Sequence, residues 1–471
     1  MRRFLGIFLI VSTTIFAQTV NDAVRLASPG YGSSPRAIGM GNAFVSMSDD
    51  GAGMFYNPAG IALVRRFELD AGFKYGFYNN RTTFFGKQVQ SNSSVADIDN
   101  FGVLIPIPTL RGSFVVGASY NGNQDFAGKT EFNAFNSGGN SNIQDLNTFS
   151  DIPFELYLTD DNYNTKINGR LNQSGSRLQT GTTGVWNFSA AFEAYRNFFL
   201  GATIGIGSGE YQSDFRLRED DLQGIYEGQE LAPGHSFTKS FRHFDYSTLL
   251  DWSLKYYDIK VGLLYQIRDL ARLGLTIQFP SNYTVKEDYE VNAASYWGNG
   301  KVVDIDPKDF SSSVEYSIIT PFKFTGGLSL NLYGLIVSGQ ATLIDYTNTS
   351  FKDISGLGGT TVANLNRDIS SMLGSVLNYN FGAEYTFPMI DMRVRAGYFV
   401  QKSPYKDDPS EYDKKFVTFG AGYLIDGELS IDAAYVMGWW NDFGDNYGTN
   451  LSRTYQDLKY SNFILGMSFR F

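Results

Sequence analysis

The chain has 471 residues, no cysteine, 50 glycines, 16% aromatic residues and a formal net charge of −10. The absence of cysteine excludes a disulfide scaffold, a thiolate metal site and a lipid-modified amino terminus. The aromatic content excludes a disordered chain. The acidic balance argues against nucleic acid as a partner, because nucleic-acid-binding proteins present a basic face.

Residues 1–17 have the pattern of a secretory signal peptide. Arg2 and Arg3 supply the positive charge, residues 4–16 form a short apolar stretch, and Ala17 ends an acceptable cleavage site. The apolar stretch is too short to cross a bilayer as a helix, and no later run of 18 apolar residues follows. The sequence therefore predicts an exported protein whose membrane-spanning part, if it has one, is built from β-strands.

Residues 18–66 lack the alternation of a spanning strand and are rich in small residues. Because the side chains of the wall cannot fill the lumen of a wide barrel, we predict that this segment is a plug, or hatch, inside the barrel. Its conspicuous residues are Arg36, Gly39, Gly41, Asp49, Asp50, Asn57, Pro58, Ala59 and Gly60.

From residue 67 to the end, apolar and polar residues alternate with period two, which is the pattern of strands with one apolar face. The polar positions are mostly Gly, Ser, Asn and Thr with isolated charges, as in the hydrated interior of a membrane barrel. We predict about fourteen strands, near residues 67–78, 98–107, 111–121, 184–194, 198–215, 254–266, 272–290, 312–330, 335–346, 377–387, 391–401, 413–424, 428–439 and 458–471.

The predicted connections alternate between short and long, which is typical of outer-membrane barrels with short periplasmic turns and long external loops. The long connections are at 79–97, 122–183, 216–253, 291–311, 347–376, 402–412 and 440–457. The fold prediction is therefore an all-β transmembrane antiparallel β-barrel over residues 67–471 with an amino-terminal plug. We expect a monomer in the outer membrane of a Gram-negative bacterium, in contact with membrane lipid and lipopolysaccharide. Phe471 ends the last strand and is similar to the signal that the barrel-assembly machinery recognises.

Several segments resemble one family. The run from Arg36 to Phe44, the acidic pair Asp49-Asp50 and the run from Tyr56 to Ile61 are similar to the hatch of the FadL/TodX family of outer-membrane transporters. The hairpin 101–120 and the strand segments 381–387 and 394–399 are also similar to strands of this family.

The resemblance implies uptake of hydrophobic small molecules, either long-chain fatty acids or aromatic hydrocarbons, with sideways release through a gap in the wall. It places Asn57, Pro58 and Ala59 in the plug beneath the ligand pocket. The PorV-type branch has a similar hatch, so the alternative is a barrel of the type IX secretion system that binds secreted protein cargo. A purely structural barrel or an adhesin is a third hypothesis.

A fatty acid needs a cation for its carboxylate, because an unpaired buried charge is costly. The candidates on the lumen face are Arg393, Arg395, Lys323, Lys260 and Arg470. Interior charges of a barrel normally pair, however, so the same side chains are alternatively partners of Glu384, Asp432, Glu193 and Glu68.

The sequence favours no enzymatic chemistry. Its only histidines, His235 and His243, lie in or near one long connection and form no recognisable triad with Ser and Asp. Asp304, Asp306 and Asp309 lack the full spacing of a calcium loop, so a solvated loop is the better interpretation. We therefore expect no enzyme activity, no metal and no cofactor.

Overall fold

A computed structural model describes residues 18–471, and the predicted signal peptide lies outside the described residues. The described chain forms one sheet of twenty strands together with short helices. The strands are β1 (Glu68–Phe84), β2 (Lys87–Ile107), β3 (Phe114–Asp125), β4 (Gly128–Asn136), β5 (Leu171–Thr180), β6 (Thr182–Tyr195), β7 (Phe198–Asp220), β8 (Phe241–Ile267), β9 (Ala271–Gln278), β10 (Asn282–Trp297), β11 (Val302–Asp304), β12 (Ser312–Ile319), β13 (Lys323–Leu332), β14 (Leu335–Asp345), β15 (Ser350–Ser355), β16 (Ser375–Phe387), β17 (Met392–Gln401), β18 (Lys414–Ile425), β19 (Leu429–Asp445) and β20 (Arg453–Arg470).

The helices are short, and most lie in the amino-terminal segment or in connections. The α-helices are α1 (Val20–Ala27), α2 (Pro35–Gly39), α3 (Gly53–Tyr56), α4 (Asn142–Leu146), α5 (Ile152–Glu155), α6 (Pro307–Phe310) and α7 (Gly359–Met372). Three 3-10 helices cover Pro58–Leu63, Ser236–Ser240 and Tyr346–Asn348. No helix among residues 18–471 has the length and apolar character that a membrane crossing requires.

Fourteen of the strands close into an antiparallel ring, as predicted. The ring runs β1, β2, β3, β6, β7, β8, β9, β13, β14, β16, β17, β18, β19, β20 and back to β1. Closure is made by the pairing of the first and last strands, from Glu68 opposite Arg470 to Thr83 opposite Tyr455. This wall therefore has no free edge that another strand is able to join.

The two faces of the wall differ in polarity. In β1, Leu69, Phe73 and Phe77 are exposed, whereas Glu68 and Lys74 are buried. The same alternation of exposed and inward-facing positions holds along β20, where exposed Phe463, Leu465 and Met467 alternate with Asn462, Ile464 and Gly466. The outside is therefore the apolar surface that a barrel presents to lipid, and the inside is polar, as predicted.

The predicted external loops contain more sheet than the sequence indicated. Residues 79–97, predicted as a loop, form the outer parts of β1 and β2, which meet in a tight turn between Phe84 and Lys87. β7 and β8 have 23 and 27 residues, whereas about 9–11 are enough to span a bilayer. The wall on this side therefore continues well beyond the membrane.

Two predicted strands are interrupted. The segment predicted at 272–290 divides into β9 and β10 around Pro280, and the segment predicted at 312–330 divides into β12 and β13 around Pro321. β8 pairs with both β9 and β10, so these two strands are halves of one bent strand. Proline cannot donate a backbone hydrogen bond to a ladder, which explains both breaks.

The outer extension has its own apolar packing. The β4–β5 hairpin pairs with β7, and β10, β12 and β15 continue the sheet from β8. One buried cluster joins the connections to these strands and consists of Ile143, Leu146, Ile152, Leu156, Leu158, Ile167, Leu171, Tyr226, Leu231, Phe241, Phe244, Val291, Ala293, Trp297 and Ile305. The connections are therefore packed structures.

Candidate functional site

The amino-terminal segment, residues 18–66, contacts the inner face of strands all around the ring. Its backbone approaches glycines of the wall so closely that no side chain fits between them. A β-carbon added to Gly397 would lie 2.1 Å from the backbone nitrogen of Gly41, and one added to Gly382 would lie 2.2 Å from the carbonyl oxygen of Met40. Glycine in the wall is thus a condition of this contact.

Asn57 joins two parts of the segment to the wall. Its Nδ2 donates to the carbonyl oxygens of Val45 (2.8 Å) and Leu263 (3.1 Å), and its Oδ1 accepts from the backbone nitrogen of Ala59 (3.1 Å). Pro58, Ala59 and Gly60, the residues that follow, are buried in the 3-10 helix Pro58–Leu63. A buried asparagine that satisfies two carbonyls and caps a helix fixes the local backbone.

Arg36 is the centre of a buried ion network. Its Nη1 donates to Asp49 and to Asp50, each at 2.7 Å, and its Nε lies 3.4 Å from Glu384 of the wall. Asp49 also pairs with Arg272 at 2.7 Å. Burial alone would raise the pKa of Asp49, but the two arginines outweigh burial and hold this pKa well below its usual value.

Two of the predicted lumen cations pair with wall carboxylates. Arg395 pairs with Glu384 at 2.6 Å and with Asp432 at 2.5 Å, and its side chain is completely buried, although its Nη2 has no acceptor among the described residues. Arg470 pairs with Glu68 at 2.8 Å across the closing pair of strands. The charges of both arginines are therefore neutralised by carboxylates of the wall itself.

Lys260 and Lys323 have a different setting, because both line a cavity of about 160 Å³ between the amino-terminal segment and the wall. Lys260 Nζ donates to the carbonyl oxygen of Phe55 and lies 5.1 Å from the centre of the Phe55 ring. Within residues 18–471, the ammonium group of Lys323 has no hydrogen bond and no ion pair of 4.0 Å or less. Arg393 is not among the residues that line this cavity.

One carboxylate, Asp258, faces the same cavity. Its Oδ2 accepts from Gln278 Nε2 at 2.8 Å, while its Oδ1 is buried without a donor among the described residues. The cavity thus holds two lysines and one aspartate. The remaining lining is mainly amide, hydroxyl and aromatic: Ser28, Asn42, Phe55, Tyr56, Asn123, Gln124, Asn187, Thr276, Gln278, Ser281, Tyr283, Thr320, Thr325, Gln340, Thr342, Asn378, Asn380, Phe399 and Gln401.

The sequence identified the two lysines of this cavity but missed Asp258 and the amides. Alternation placed many polar residues on the lumen face without indicating which of them meet. Residues from β3 to β17 contribute to one cavity only because the ring closes, and this closure has no local signal in the chain.

The outer end of the cavity is bounded by α1. Leu26 of α1 and the following Ser28 and Pro29 line it, and Arg25, the residue before Leu26, lies over the rings of Tyr211 (4.3 Å) and Trp252 (5.5 Å). A cation over an aromatic ring is attracted by the negative charge of the ring face. These contacts fix α1 against the outer half of the wall.

The histidines and the acidic loop occupy other places. His243 stacks on Tyr296 at 4.1 Å, and His235 lies beside Tyr157 and Phe237 in the outer connections. The Asp306 carboxylate accepts a hydrogen bond from the backbone nitrogen of Lys308, in the first turn of α6. In the part of the chain that the structure describes, no group of three or more metal-ligating side chains is present.

The fold and the polar lumen define a fourteen-stranded barrel of the outer-membrane type. No family model and no curated protein matches the sequence. Among solved structures, the toluene transporter TodX of P. putida superposes with a TM-score of 0.57 at 14% identity, covering 94% of this chain and 99% of TodX.

Two further solved structures have the same architecture. A Pseudomonas aeruginosa FadL homologue gives a TM-score of 0.56 at 14% identity, with 94% of this chain and 98% of that chain covered. The Ralstonia pickettii toluene transporter TbuX gives a TM-score of 0.52 at 14% identity, with 94% of this chain and 99% of that chain covered. The chain therefore has the fold of the FadL/TodX transporters along nearly its whole length.

Proposed function

We propose that this protein is an outer-membrane transporter that takes up hydrophobic small molecules carrying an anionic end. Residues 18–66 act as the plug of the barrel, and the cavity that contains Lys260 and Lys323 holds the ligand. The observation that carries the proposal is this cavity, because it lies between the plug and the wall, where a passing solute has to be bound and released.

The lining of the cavity supports an amphipathic ligand over a pure hydrocarbon. An apolar cavity of about 150 Å³ is sufficient to take up benzene, and the volume here is similar, about 160 Å³. The walls, however, carry hydroxyl, amide and ammonium groups, which a hydrocarbon would leave unsatisfied. A carboxylate is a better match for the ammonium of Lys323, because it restores a charge pair in a buried place.

Ligand binding to the purified barrel in detergent tests this assignment. We expect a saturable calorimetric signal with short-chain fatty acids, which match a cavity of this volume, and a weaker one with the corresponding alcohols and with toluene. Lys323→Met should weaken fatty-acid binding roughly 10- to 100-fold, as expected for the loss of one charge-assisted contact of about 1.5–3 kcal/mol, and should leave alcohol binding unchanged.

Lys255→Met is a matched control, since Lys255 lies on the exposed face of β8, on the same strand as Lys260. Equal binding of acid and alcohol by the unaltered protein would contradict the role of the lysines. No binding across fatty acids, alcohols and alkyl-aromatics would contradict the transporter and favour the protein-binding hypothesis of the PorV type.

The role of residues 18–66 has a separate test. Deletion of residues 18–62 should raise the conductance of the barrel in planar bilayers, because the lumen would then be open to ions. Unchanged conductance of a correctly folded deletion variant would show that this segment does not plug the barrel.

A further inference from the structure

Glu287 is a carboxylate buried in the outer half of the barrel. It lies on β10 and is 1% exposed. Its Oε2 accepts from Trp252 Nε1 (2.8 Å) and Tyr316 Oη (2.7 Å), and its Oε1 accepts from the side-chain amide of Gln18. All three donors are neutral.

No cationic side chain neutralises this group. Among residues 18–471, no Lys, Arg or His comes within ion-pair distance of Glu287. Arg25 is paired with Asp22 at 2.5 Å, and the Asp22 carboxylate adds a second negative charge to the surroundings of Glu287. A buried carboxylate without a counter-ion is costly, so a cation that is able to reach Glu287 would be stabilised there.

The residue that contacts Glu287 is the first one after the predicted cleavage site. Gln18 is only 8% exposed, and it is followed by α1, whose Val20, Ala23 and Leu26 belong to a buried apolar cluster. Cleavage after Ala17 hydrolyses one peptide bond and gives Gln18 a free α-amino group, which is protonated below a pH of about 8. That ammonium is attached to the same residue whose side chain already contacts Glu287.

We propose that Glu287 is the binding site for the α-ammonium group of the mature chain, so that removal of the signal peptide creates the ion pair that fixes α1 in the barrel. The uncleaved chain has an uncharged amide nitrogen at residue 18 and does not form this pair. The inference does not depend on which molecule the barrel transports.

The pair has a predictable dependence on pH. A neighbouring carboxylate raises the pKa of an ammonium group above its value in the unfolded chain, about 7.7–8.0. While Glu287 is ionised, the stabilisation is therefore present below that pH and is lost as the pH rises through the higher pKa of the folded state. The ionisable side chains around Glu287 are Tyr316, which donates to it, and Asp22, whose negative charge acts on Glu287 although Asp22 itself pairs with Arg25.

Amine labelling of the protein purified from outer membranes tests the proposal. Mass spectrometry of the amino-terminal peptide should show a free amine on Gln18, and acetylation of this amine in the folded barrel should be at least tenfold slower than in the unfolded chain. Its rate plotted against pH should give an apparent pKa above 8. Glu287→Gln should restore fast labelling and bring the apparent pKa below that of the unaltered protein.

Glu219→Gln is the matched control, because Glu219 is also fully buried, accepts only from neutral donors and lies on a neighbouring part of the outer wall. It should leave the labelling of Gln18 unchanged. Gln18→Ala removes the side-chain contact but keeps the amine, so protection should persist.

Four results would overturn the inference: a mature chain that begins elsewhere, pyroglutamate at Gln18, labelling of the folded protein at the rate of the unfolded chain, or an apparent pKa below 7.7. If Glu287→Gln does not fold, the apparent pKa of the Gln18 amine in the unaltered protein still tests the ion pair. Burial without a counter-ion lowers the pKa of an amine, whereas pairing with a carboxylate raises it.

Discussion

Replacing Arg36 by methionine should loosen the amino-terminal segment, residues 18–66, more than any other single change to a charge in that segment. Arg36 is the only cation within ion-pair distance of Asp50 among the described residues, whereas Asp49 keeps Arg272 and Glu384 keeps Arg395. The variant therefore leaves one largely buried carboxylate, that of Asp50, without a partner.

The size of the effect follows from this count. Removing one partner of a buried ion pair costs about 3–5 kcal/mol, and the Arg36 side chain is 13% exposed, so we take the lower end. About 3 kcal/mol corresponds to a ~150-fold change in an equilibrium constant. The fraction of barrels in which residues 18–66 are displaced should rise by that factor.

Conductance in planar bilayers and the thermal unfolding midpoint both report this change. Arg36→Met should give frequent openings to a higher conductance and a lower midpoint. Adding Asp50→Asn should restore most of the loss, because the unpaired charge is then removed. Arg218→Met is a suitable control, since Arg218 bonds Asp245 at 2.6 Å but is 48% exposed, and a pair of this kind contributes at most about 1 kcal/mol.

The reasoning would be refuted if Arg36→Met conducted and unfolded like the unaltered protein. It would also be refuted if Asp50→Asn made the arginine variant worse, because the unpaired carboxylate would then not be the cause of the loss.

Three further outcomes follow from the contacts. Gly397→Val should displace the amino-terminal segment at Gly41, because even a β-carbon at position 397 would lie 2.1 Å from the backbone nitrogen of Gly41. Overpacking of this kind costs about 1–3 kcal/mol and should lower the melting midpoint, so an unchanged midpoint would contradict the contact. Because the pKa of Asp49 is depressed in the folded protein, its pairing with Arg36 stabilises the protein fully above a pH of about 4. This stabilisation is lost as the pH falls toward the depressed pKa. The melting midpoint should therefore fall less between pH 6 and pH 3 in Asp49→Asn than in the unaltered protein. Glu219→Ala leaves two backbone N–H groups of the connection 137–170 without an acceptor, which costs about 1–3 kcal/mol. Limited proteolysis should then cut within this connection while the barrel stays intact. Equal resistance of both proteins to the protease would show that Glu219 does not hold the connection in place.

The barrel itself was predictable from the sequence because lipid imposes the same demand on every strand. Where the outside is apolar and the inside is polar, alternation is regular, as in β1 and β20, and counting its segments gives fourteen strands. The breaks at Pro280 and Pro321 also had a local signal, which the prediction of continuous strands overlooked.

The outer extension was not predictable in the same way. Beyond the membrane both faces of a strand meet water, connections or the amino-terminal segment, so the regular alternation that identifies a lipid-facing strand disappears. Residues 79–97 illustrate this, since they carry polar residues at most positions and still pair along the whole hairpin of β1 and β2. These residues form strands because they pair with neighbouring strands of the wall, and their own sequence shows no hydrophobic alternation.

The candidate site was predictable from the sequence only in part. The lysines at 260 and 323 stood out because charges are rare on the lumen face, but Arg395 and Arg470 stood out equally and are occupied by carboxylates. Whether a lumen cation is paired depends on which residue lies opposite it on the adjacent strand. That residue is set by the register of the strands around the whole ring.

The closing pair of β1 and β20 has a consequence for how the protein folds. Arg470 and Glu68 are separated by 402 positions in the chain, and joining ends so far apart costs roughly 5 kcal/mol of chain entropy beyond a constant. The other wall contacts join strands that are much nearer in sequence. The pairing of β1 with β20, which is the seam of the barrel, is therefore the slowest contact to form. A segment that touches both sides of the seam and the far wall has to be in position before it closes. Folding intermediates with an open seam should therefore already contain residues 18–66 in contact with the wall.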